Sequence, residues 1–437
     1  SFIAAPLTSA IMSDYGAEVI KIESPLGDSY RNACIGGQVW PESKLDWAFL
    51  LENRNKRSLS VDLKTDEGQI ILKKLLKNTD VFITNLPKSP RKRLGLTSKI
   101  IRKINPKIIY TSLSGYGETG PQANSTALDA TAWWASSGLM EWSKPINGEF
   151  PPFPVPGIGD HPTGLSLLSA ILLALINREK TGMGTTVSTS LFANGIWANA
   201  MLVQAALAGH KPIDTFHWAN LGALRNLYYL KDKSILFIML TDENKYWLPF
   251  IKALRIEKIN SDKKYNTQDK RQKNREGLKD ILQKIFKKLT YKEVNKKLSP
   301  TGVIFSKIQT TQEAIKDPSV KANNMFLNVQ QQGYKNLKTV APPLNIEDVK
   351  RVPSKRAPKL GEHSKQILSE IEISQSTNSD KNISQVLQKD FEKRIECPLP
   401  RFCGCAFYLG FLYARGWSFQ KLHSNEIIYV PRNQSLA

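Results

Sequence analysis

The stretch SLSVDLKTDEGQIILKKLLKNTDVFIT, residues 58–84, carries a strand, a helix and a second strand in succession. Residues 58–64 alternate apolar and polar at period two, which is typical of a strand. Thr65 and two acidic residues then open a segment whose apolar side chains recur at helical spacing. Residues 81–84 form the next short strand. A strand, a helix and a strand at this spacing predict a parallel sheet with helices on both faces.

The same alternation extends on both sides of this stretch. Strands are predicted at 17–23, 108–113 and 185–191, and helices at 97–104, 163–178 and 193–207. The fold class is therefore α/β, and in such sheets the ligand binds at the carboxyl ends of the strands. Residues 115–162 are rich in Gly, Pro, Ser and Trp and lack periodicity. Loops this long in a compact chain are usually functional.

Composition changes along the chain predict its domains. Residues 1–214 form a large Rossmann-like domain, and residues 215–335 a smaller α/β domain that opens on a hairpin and continues in Lys-rich helices. Residues 336–373 return to the large domain. From residue 374 a Ser-, Asn- and Lys-rich linker leads into a tail that ends at 437. We expect this tail to be dispensable for the fold.

Charge and cysteine content exclude several classes of protein. The formal net charge is +22, but the Lys residues are spread out and interleaved with acids, which indicates a solvated surface. No nucleic-acid-binding signature is present, and no apolar run is long enough to span a membrane. Four Cys are too few for a disulfide framework, so a cytoplasmic location is predicted. Cys397, Cys403 and Cys405 are one ligand short of a structural zinc set, and no metal is predicted.

Several blocks, in this order, resemble the class III CoA-transferases, a family that includes formyl-CoA transferase, carnitine CoA-transferase and the bile-acid-inducible proteins. The resemblance covers about residues 1–375. The matching blocks are Ala4-Ala-Pro6, Tyr15-Gly-Ala-Glu-Val-Ile-Lys-Ile-Glu23, Asn53-Arg-Asn-Lys-Arg-Ser58, Arg93-Leu-Gly-Leu96, Ser114-Gly-Tyr-Gly-Glu-Thr-Gly-Pro121, Gly159-Asp160, Arg178-Glu-Lys-Thr-Gly-Met-Gly184 and Leu360-Gly-Glu-His363. Each block is weak alone, but together they are specific.

The resemblance implies a large CoA-binding domain, a small α/β domain and an interlocked homodimer. It implies that coenzyme A enters as an acyl-CoA and is transferred to a small carboxylic acid, through anhydride and thioester intermediates on an aspartate. Asp160 is the residue that matches this aspartate. In the family a strand precedes the first matching block, and this chain has no counterpart ahead of Ser1. We therefore expect part of the floor of the ligand site to be missing.

The candidate residues also have structural interpretations. Asp160 precedes a Pro and an apolar helix, so from pattern alone it is a helix N-cap. His161 beside it is interpreted as a solvated or capping residue rather than a base. Backbone N–H groups at Thr163 and Gly164, where the next helix begins, are the predicted donors to developing oxyanions.

Arg31 and Arg93 are predicted to bind the phosphates of CoA, which favour planar, bidentate cations, and Lys56 and Arg54 are further candidates of this kind.

The substrate pocket is predicted from three further residues. Trp133 and Trp134 are adjacent, so on a helix they face different ways; at least one is predicted in the core, and the other lines the acyl pocket. Asp129 is the third candidate. Racemases of the same superfamily carry His-Asp where Leu128 and Asp129 stand here, and the lost His argues against racemisation. A non-catalytic chain that only binds CoA is the other alternative.

Overall fold

The computed structural model describes residues 1–145, 150–210, 222–373 and 427–431. The chain divides into two compact units. The larger contains residues 1–140, 153–203 and 326–437, and the smaller contains residues 141–152 and 204–325. The predicted boundary between residues 214 and 215 lies outside the described residues, and the predicted domain limits stay predictions.

Helices and strands alternate through the first half of the chain, as predicted. The strands are β1 (Ile20–Glu23), β2 (Arg57–Ser60), β3 (Thr79–Thr84), β4 (Ile109–Ser114), β5 (Thr186–Ser190), β6 (Arg225–Tyr229), β7 (Ile235–Met239), β8 (Ile304–Lys307), β9 (Phe326–Gln330), β10 (Lys338–Val340), β11 (Ser354–Lys355) and β12 (Ile427–Pro431). The helices are α1 (Ala4–Asp14), α2 (Trp47–Asn53), α3 (Asp66–Lys77), α4 (Lys88–Arg93), α5 (Ser98–Ile104), α6 (Leu139–Trp142), α7 (Asp160–Thr181), α8 (Leu191–Ala198), α9 (Ala200–Leu207), α10 (Glu243–Leu254), α11 (Gln268–Lys273), α12 (Arg275–Phe286), α13 (Tyr291–Leu298), α14 (Thr311–Ala314), α15 (Pro318–Ala322) and α16 (Ser364–Ile373). A π-helix spans Asp129–Ala135, and short 3₁₀ helices span Glu257–Ser261 and Ser299–Thr301.

The sheet of the larger unit has the order β2-β1-β12-β3-β4-β5. Strand β1 is parallel to β2, and β3, β4 and β5 are mutually parallel. Alternate residues of β3 enter different cores: Phe82 packs with side chains of α3 and α5, whereas Val81 and Ile83 pack with side chains of α1 and α7. Both faces of the sheet are therefore covered by helices, as the sequence predicts.

The tail contributes a strand that the sequence analysis did not place. β12 lies between β1 and β3 and is antiparallel to both. It supplies hydrogen-bonding partners to the facing edges of two parallel strands, whose backbone groups would otherwise be unpaired. This pairing argues against the expectation that the tail is dispensable for the fold, which stays a prediction. The run Ile-Ile-Tyr-Val of β12 was the available signal, because β-branched and aromatic residues favour strands.

The smaller unit has its own sheet and core. Strands β6, β7 and β8 form an antiparallel sheet, in agreement with the predicted hairpin. Fully buried side chains of α10 and α12, Phe250 and Phe286, pack with Tyr228 of β6 in this core. In the larger unit, β9 pairs with β10 and β11 in a separate three-stranded sheet.

Close packing between α1 and α7 sets the position of the first turn of α7. A Cβ atom on Gly164 would lie 2.9 Å from the carbonyl oxygen of Ala4, so only glycine fits there. The Thr8 hydroxyl donates to the Gly164 carbonyl at 2.9 Å across the same contact. Among the described residues, no helix is both long enough and apolar enough to cross a membrane.

Candidate active site

Asp160 is the first residue of α7 and follows a tight turn, Gly157-Ile-Gly159. Gly157 has a φ of +78°, a conformation that favours glycine. A Cβ atom on Gly159 would lie 2.5 Å from Cγ of Trp133, so no larger residue fits. The two glycines let the chain turn against the buried indole of Trp133, and this turn places Asp160 at the start of α7.

The interpretation of Asp160 as a helix N-cap is wrong. Gly159 holds the N-cap position, and no side chain caps this helix end. Among the described residues the Asp160 carboxylate has no hydrogen-bond or ion-pair partner. The predicted oxyanion donors are also engaged in the helix, because the Thr163 amide donates to the Gly159 carbonyl at 3.2 Å and Gly164 lies inside α7.

The surroundings of Asp160 disfavour its ionised form. Burial, followed by the negative charges of Asp129 and Glu52, raises the pKa of Asp160 from 3.8 to about 7. His161 acts in the opposite direction. A carboxyl group with a pKa near neutrality and no partner is typical of functional sites rather than structural ones.

Asp129 positions the glycine turn. Its Oδ2 accepts a hydrogen bond from the Gly159 amide at 3.1 Å, and its Oδ1 accepts one from the Ala130 amide at 2.8 Å. Both oxygens of this buried side chain therefore bind backbone groups. The structure brings Asp129 close to Asp160, where its carboxylate anchors the glycine turn that precedes Asp160. Its predicted contact with substrate stays a prediction.

Trp133 and Trp134 lie on the π-helix beside this turn. Their rings are nearly parallel, with 6.1 Å between centroids and 8° between planes, so the expectation that they face different ways is wrong. The wider turn of a π-helix rotates consecutive side chains by a smaller angle than an α-helix does. Trp133 is in the core, as expected of one of the pair. Both indole N–H groups are buried without an acceptor among the described residues.

The side chain of Arg31 is held by contacts within the larger unit. Its guanidinium makes two hydrogen bonds to the Glu23 carboxylate, at 2.6 and 2.7 Å, and lies 4.2 Å from the centroid of the Phe49 ring. It also borders a cavity of about 500 Å³ whose lining includes Asn32 and Lys359. Its charged lining residues are Arg31, Lys359 and Asp28, and Arg31 is already paired with Glu23.

The other predicted CoA-binding cations fall into two groups. Arg93 is exposed at the end of α4. Arg54, in contrast, is buried against Asp14, with a shortest distance of 2.6 Å between them. Lys56 is buried too, and donates to the carbonyl of Pro6 and the side chain of Asn53. The structure therefore gives Arg54 and Lys56 partners within the fold, and their contact with CoA stays a prediction.

Sequence reasoning missed Glu52 and treated His161 as a solvated or capping residue. Glu52 lies near the end of α2 with only 2% of its side chain exposed, and its Oε1 is 3.4 Å from Nε2 of His161. The signal for Glu52 was a lone acid closing the apolar segment Trp47-Ala-Phe-Leu-Leu. For His161 it was only adjacency to Asp160, which does not reveal a partner from another helix.

Comparison with known proteins identifies the family of the chain. Residues 1–364 match the family described as CoA-transferase family III. The chain is 32% identical over 372 residues to (R)-2-hydroxy-4-methylpentanoate CoA-transferase of Clostridioides difficile, covering 84% of this chain and 92% of the relative. It is 29% identical over 370 residues to human succinyl-CoA:glutarate CoA-transferase, covering 84% and 83%.

A solved structure shows the same architecture. A CAIB/BAIF family protein from Brucella suis superimposes with a TM-score of 0.73 at 27% identity, over 85% of this chain and 96% of the other. The resemblance seen in the sequence blocks is thus confirmed by sequence and by fold. The chain is an enzyme that belongs to the CoA-transferase family III.

Proposed function

We propose that this enzyme transfers CoA from an acyl-CoA thioester to a free carboxylic acid, with Asp160 as the nucleophile. The observation that carries the proposal is the unpartnered carboxylate of Asp160 at the end of the glycine turn. The relatives named for 2-hydroxy-4-methylpentanoate and glutarate favour small carboxylic acids as substrates, some with a second polar group.

The reaction needs four balanced steps. The Asp160 carboxylate attacks the thioester carbonyl, the C–S bond breaks, and an aspartyl anhydride and CoA thiolate form. The thiolate attacks the aspartyl carbonyl of this anhydride, which releases the donor acid and leaves an aspartyl-CoA thioester. The acceptor carboxylate attacks that thioester and regenerates the thiolate. The thiolate then attacks the acceptor acyl group, which yields the new acyl-CoA and free Asp160.

Each step suits the local environment. The nucleophile must be ionised, and a pKa of about 7 leaves a useful fraction of Asp160 ionised at neutral pH. The glycine turn presents little side-chain bulk, so a thioester can approach the carboxylate. Arg31, Arg93 and Lys359 are the proposed contacts for the CoA phosphates.

Mass spectrometry tests the nucleophile directly. Incubation with acyl-CoA and quenching should give a covalent acyl or CoA adduct on the peptide that contains Asp160, and hydroxylamine should convert it to a hydroxamate at that residue. The Asp160→Asn variant should give no adduct, and Asp129→Asn is the matched control at the neighbouring carboxylate. Adduct formation that maps to Asp129, or that persists in Asp160→Asn, would refute the assignment.

The quaternary structure stays a prediction. We propose that the enzyme is an intimate homodimer, as its family resemblance implies. Multi-angle light scattering at micromolar concentration should give twice the chain mass of 49.1 kDa. A stable monomer that remains active would exclude the proposed dimer.

A further inference from the structure

Gly159 is the residue immediately before Asp160, and each of its backbone groups has a close neighbour. Its amide donates to Oδ2 of Asp129 at 3.1 Å. Its carbonyl accepts from the Thr163 hydroxyl at 2.7 Å and from the Thr163 amide at 3.2 Å. A Cβ atom added to it would lie 2.5 Å from Cγ of Trp133. The peptide ahead of the proposed nucleophile is therefore held from three sides.

Two of these three neighbours belong to the π-helix. Asp129 is its first residue, and Trp133 follows within the same helix. Thr163, in contrast, lies in the first turn of α7 itself. The contacts of Asp129 and Trp133 with Gly159 thus join the π-helix to the start of α7. Segments of π-helix are rare and occur frequently at functional sites.

The side chain of Asp129 suits the two backbone amides that it binds. Oδ2 accepts from the Gly159 amide, and Oδ1 accepts from the Ala130 amide at 2.8 Å. An ionised carboxylate accepts at both oxygens, whereas an asparagine side chain accepts at one atom and donates at the other. Asparagine at this position would place an NH₂ group against a backbone N–H. Because Asp129 is buried, the amide that loses its acceptor would be left without a partner.

We propose that Asp129 is a positioning residue, whose carboxylate holds the Gly159 peptide so that Asp160 keeps the geometry required to attack the thioester. The proposal rests on the proposed function, which makes Asp160 the nucleophile. Asp129 acts through the backbone of the glycine turn, and this role is an alternative to its predicted contact with substrate. A displacement of reacting groups by about 1 Å can lower a rate by about a hundredfold. Loss of the anchor should therefore slow the chemical step and leave substrate affinity unchanged.

Steady-state kinetics separate positioning from substrate contact, with succinyl-CoA and glutarate as the probe pair. Asp129→Asn should lower kcat by about ten- to a hundredfold and leave both KM values within about twofold of the wild type. At about pH 9, above the pKa of Asp160 of about 7, a change in the ionisation of the nucleophile does not contribute. Asp28→Asn is the matched control, because Asp28 is also buried and also accepts from a backbone amide. It should keep most of the wild-type kcat.

Amide hydrogen exchange of the unliganded enzyme tests the anchor without using activity. Mass spectrometry follows peptides that cover residues 157–165. In Asp129→Asn the Gly159 amide loses its acceptor, so this turn should exchange about tenfold faster or more, whereas Asp28→Asn should leave its exchange unchanged. Thermal melting verifies that each variant is folded. Asp129→Glu, which keeps the charge but is one methylene longer, replaces Asp129→Asn if the latter does not fold, and should give the same two effects.

The outcomes separate this inference from the proposed function. Unchanged exchange of the turn in the Asp129 variant, or a raised KM with an unchanged kcat, would overturn the positioning role. Faster exchange with a wild-type kcat would overturn it too, provided that Asp160→Asn is inactive. An active Asp160→Asn enzyme would instead refute Asp160 as the nucleophile, and hydrogen exchange would still decide whether Asp129 holds the turn.

Discussion

Asp28 and Asp160 are aspartates of the larger unit, the first buried and the second partly buried, and their environments differ in kind. The Asp28 carboxylate accepts from Nζ of Lys21 and from the Tyr30 amide, both at 2.9 Å. Burial raises its pKa, but the charge of Lys21 and the other contacts outweigh burial and lower it. Asp160 has no partner among the described residues, and its pKa is raised.

This contrast separates a structural charge from a functional one. Glu23 repeats the pattern of Asp28, because it is buried and accepts from both Arg31 and Ser58. Asp28 and Glu23 therefore have partners within the fold, whereas Asp160 has none among the described residues. A partly buried carboxylate that has no partner is disfavoured as the anion, and groups of this kind are typical of functional sites.

The largest effect is expected on turnover. Asp160→Asn should lower CoA exchange by about a thousandfold or more, because an amide cannot form the anhydride. Steady-state kinetics at pH 8 measure this effect. Asp28→Asn, which weakens a structural carboxylate in the same unit, is the comparison: once folded, it should keep most of the wild-type kcat. An Asp160→Asn enzyme with near wild-type kcat would remove the distinction between the two aspartates.

Breaking the structural pair should produce the largest loss of stability. Lys21→Met leaves Asp28 buried without its ion-pair partner, which should cost about 3–5 kcal/mol of unfolding free energy. Arg57→Met is the matched control on the neighbouring strand, since Arg57 pairs with the half-exposed Glu18 and Glu370, and each of these pairs should contribute less than about 1 kcal/mol. Urea denaturation of both variants tests the difference, and equal costs would contradict it.

Removing the charge of Asp160 should change the free energy of unfolding in the opposite direction to breaking the Lys21–Asp28 pair. The pKa of Asp160 is higher in the folded state than its ordinary value of 3.8, so folding favours the protonated form. The protonated carboxyl group therefore contributes to the stability of the folded state fully below about pH 3.8. This contribution is lost as pH rises through about 7. Asp160→Asn should therefore be more stable than the wild type at pH 8, by an amount on the order of 1.4 kcal/mol for each unit of pKa shift.

Melting temperatures measured across pH 4 to 8 follow this difference. The stabilisation by Asp160→Asn should shrink as pH falls, because the wild-type carboxyl becomes neutral. Asp28→Asn should instead be less stable than the wild type at pH 8, since it removes a paired charge. An Asp160→Asn variant less stable than the wild type at pH 8 would show that the carboxylate has a partner after all.

The smallest effect is expected on CoA affinity. Arg93→Ala should weaken CoA binding by about tenfold if Arg93 contacts a phosphate, without loss of stability, because Arg93 is exposed. Arg31→Ala alone is ambiguous, since it also leaves the buried Glu23 unpaired. The double variant Arg31→Ala/Glu23→Gln removes that ambiguity. Isothermal titration that shows unchanged affinity in both variants would place CoA elsewhere.

Much of the fold could be predicted from local patterns. The alternation between Ser58 and Thr84 anticipated β2, α3 and β3, because periodicity and the Thr65 cap are local properties. The strand at the centre of the sheet was harder to predict. β12 was missed because its place depends on the gap between β1 and β3, which lie hundreds of residues earlier in the chain.

The sequence by itself determined the α/β class, the family and the choice of Asp160. These depend on short sequence blocks and on the order of the blocks along the chain, and both can be read from the sequence. Only the tertiary structure decided which charges are free. Arg54 and Arg93 are both basic residues within family blocks, yet one is buried against Asp14 and the other is exposed. The pairing of Glu52 with His161 was likewise invisible, because 109 positions separate them and only folding brings α2 to the start of α7. Charge pairing acts over a few ångströms of space, and the order of residues along a chain does not report that distance.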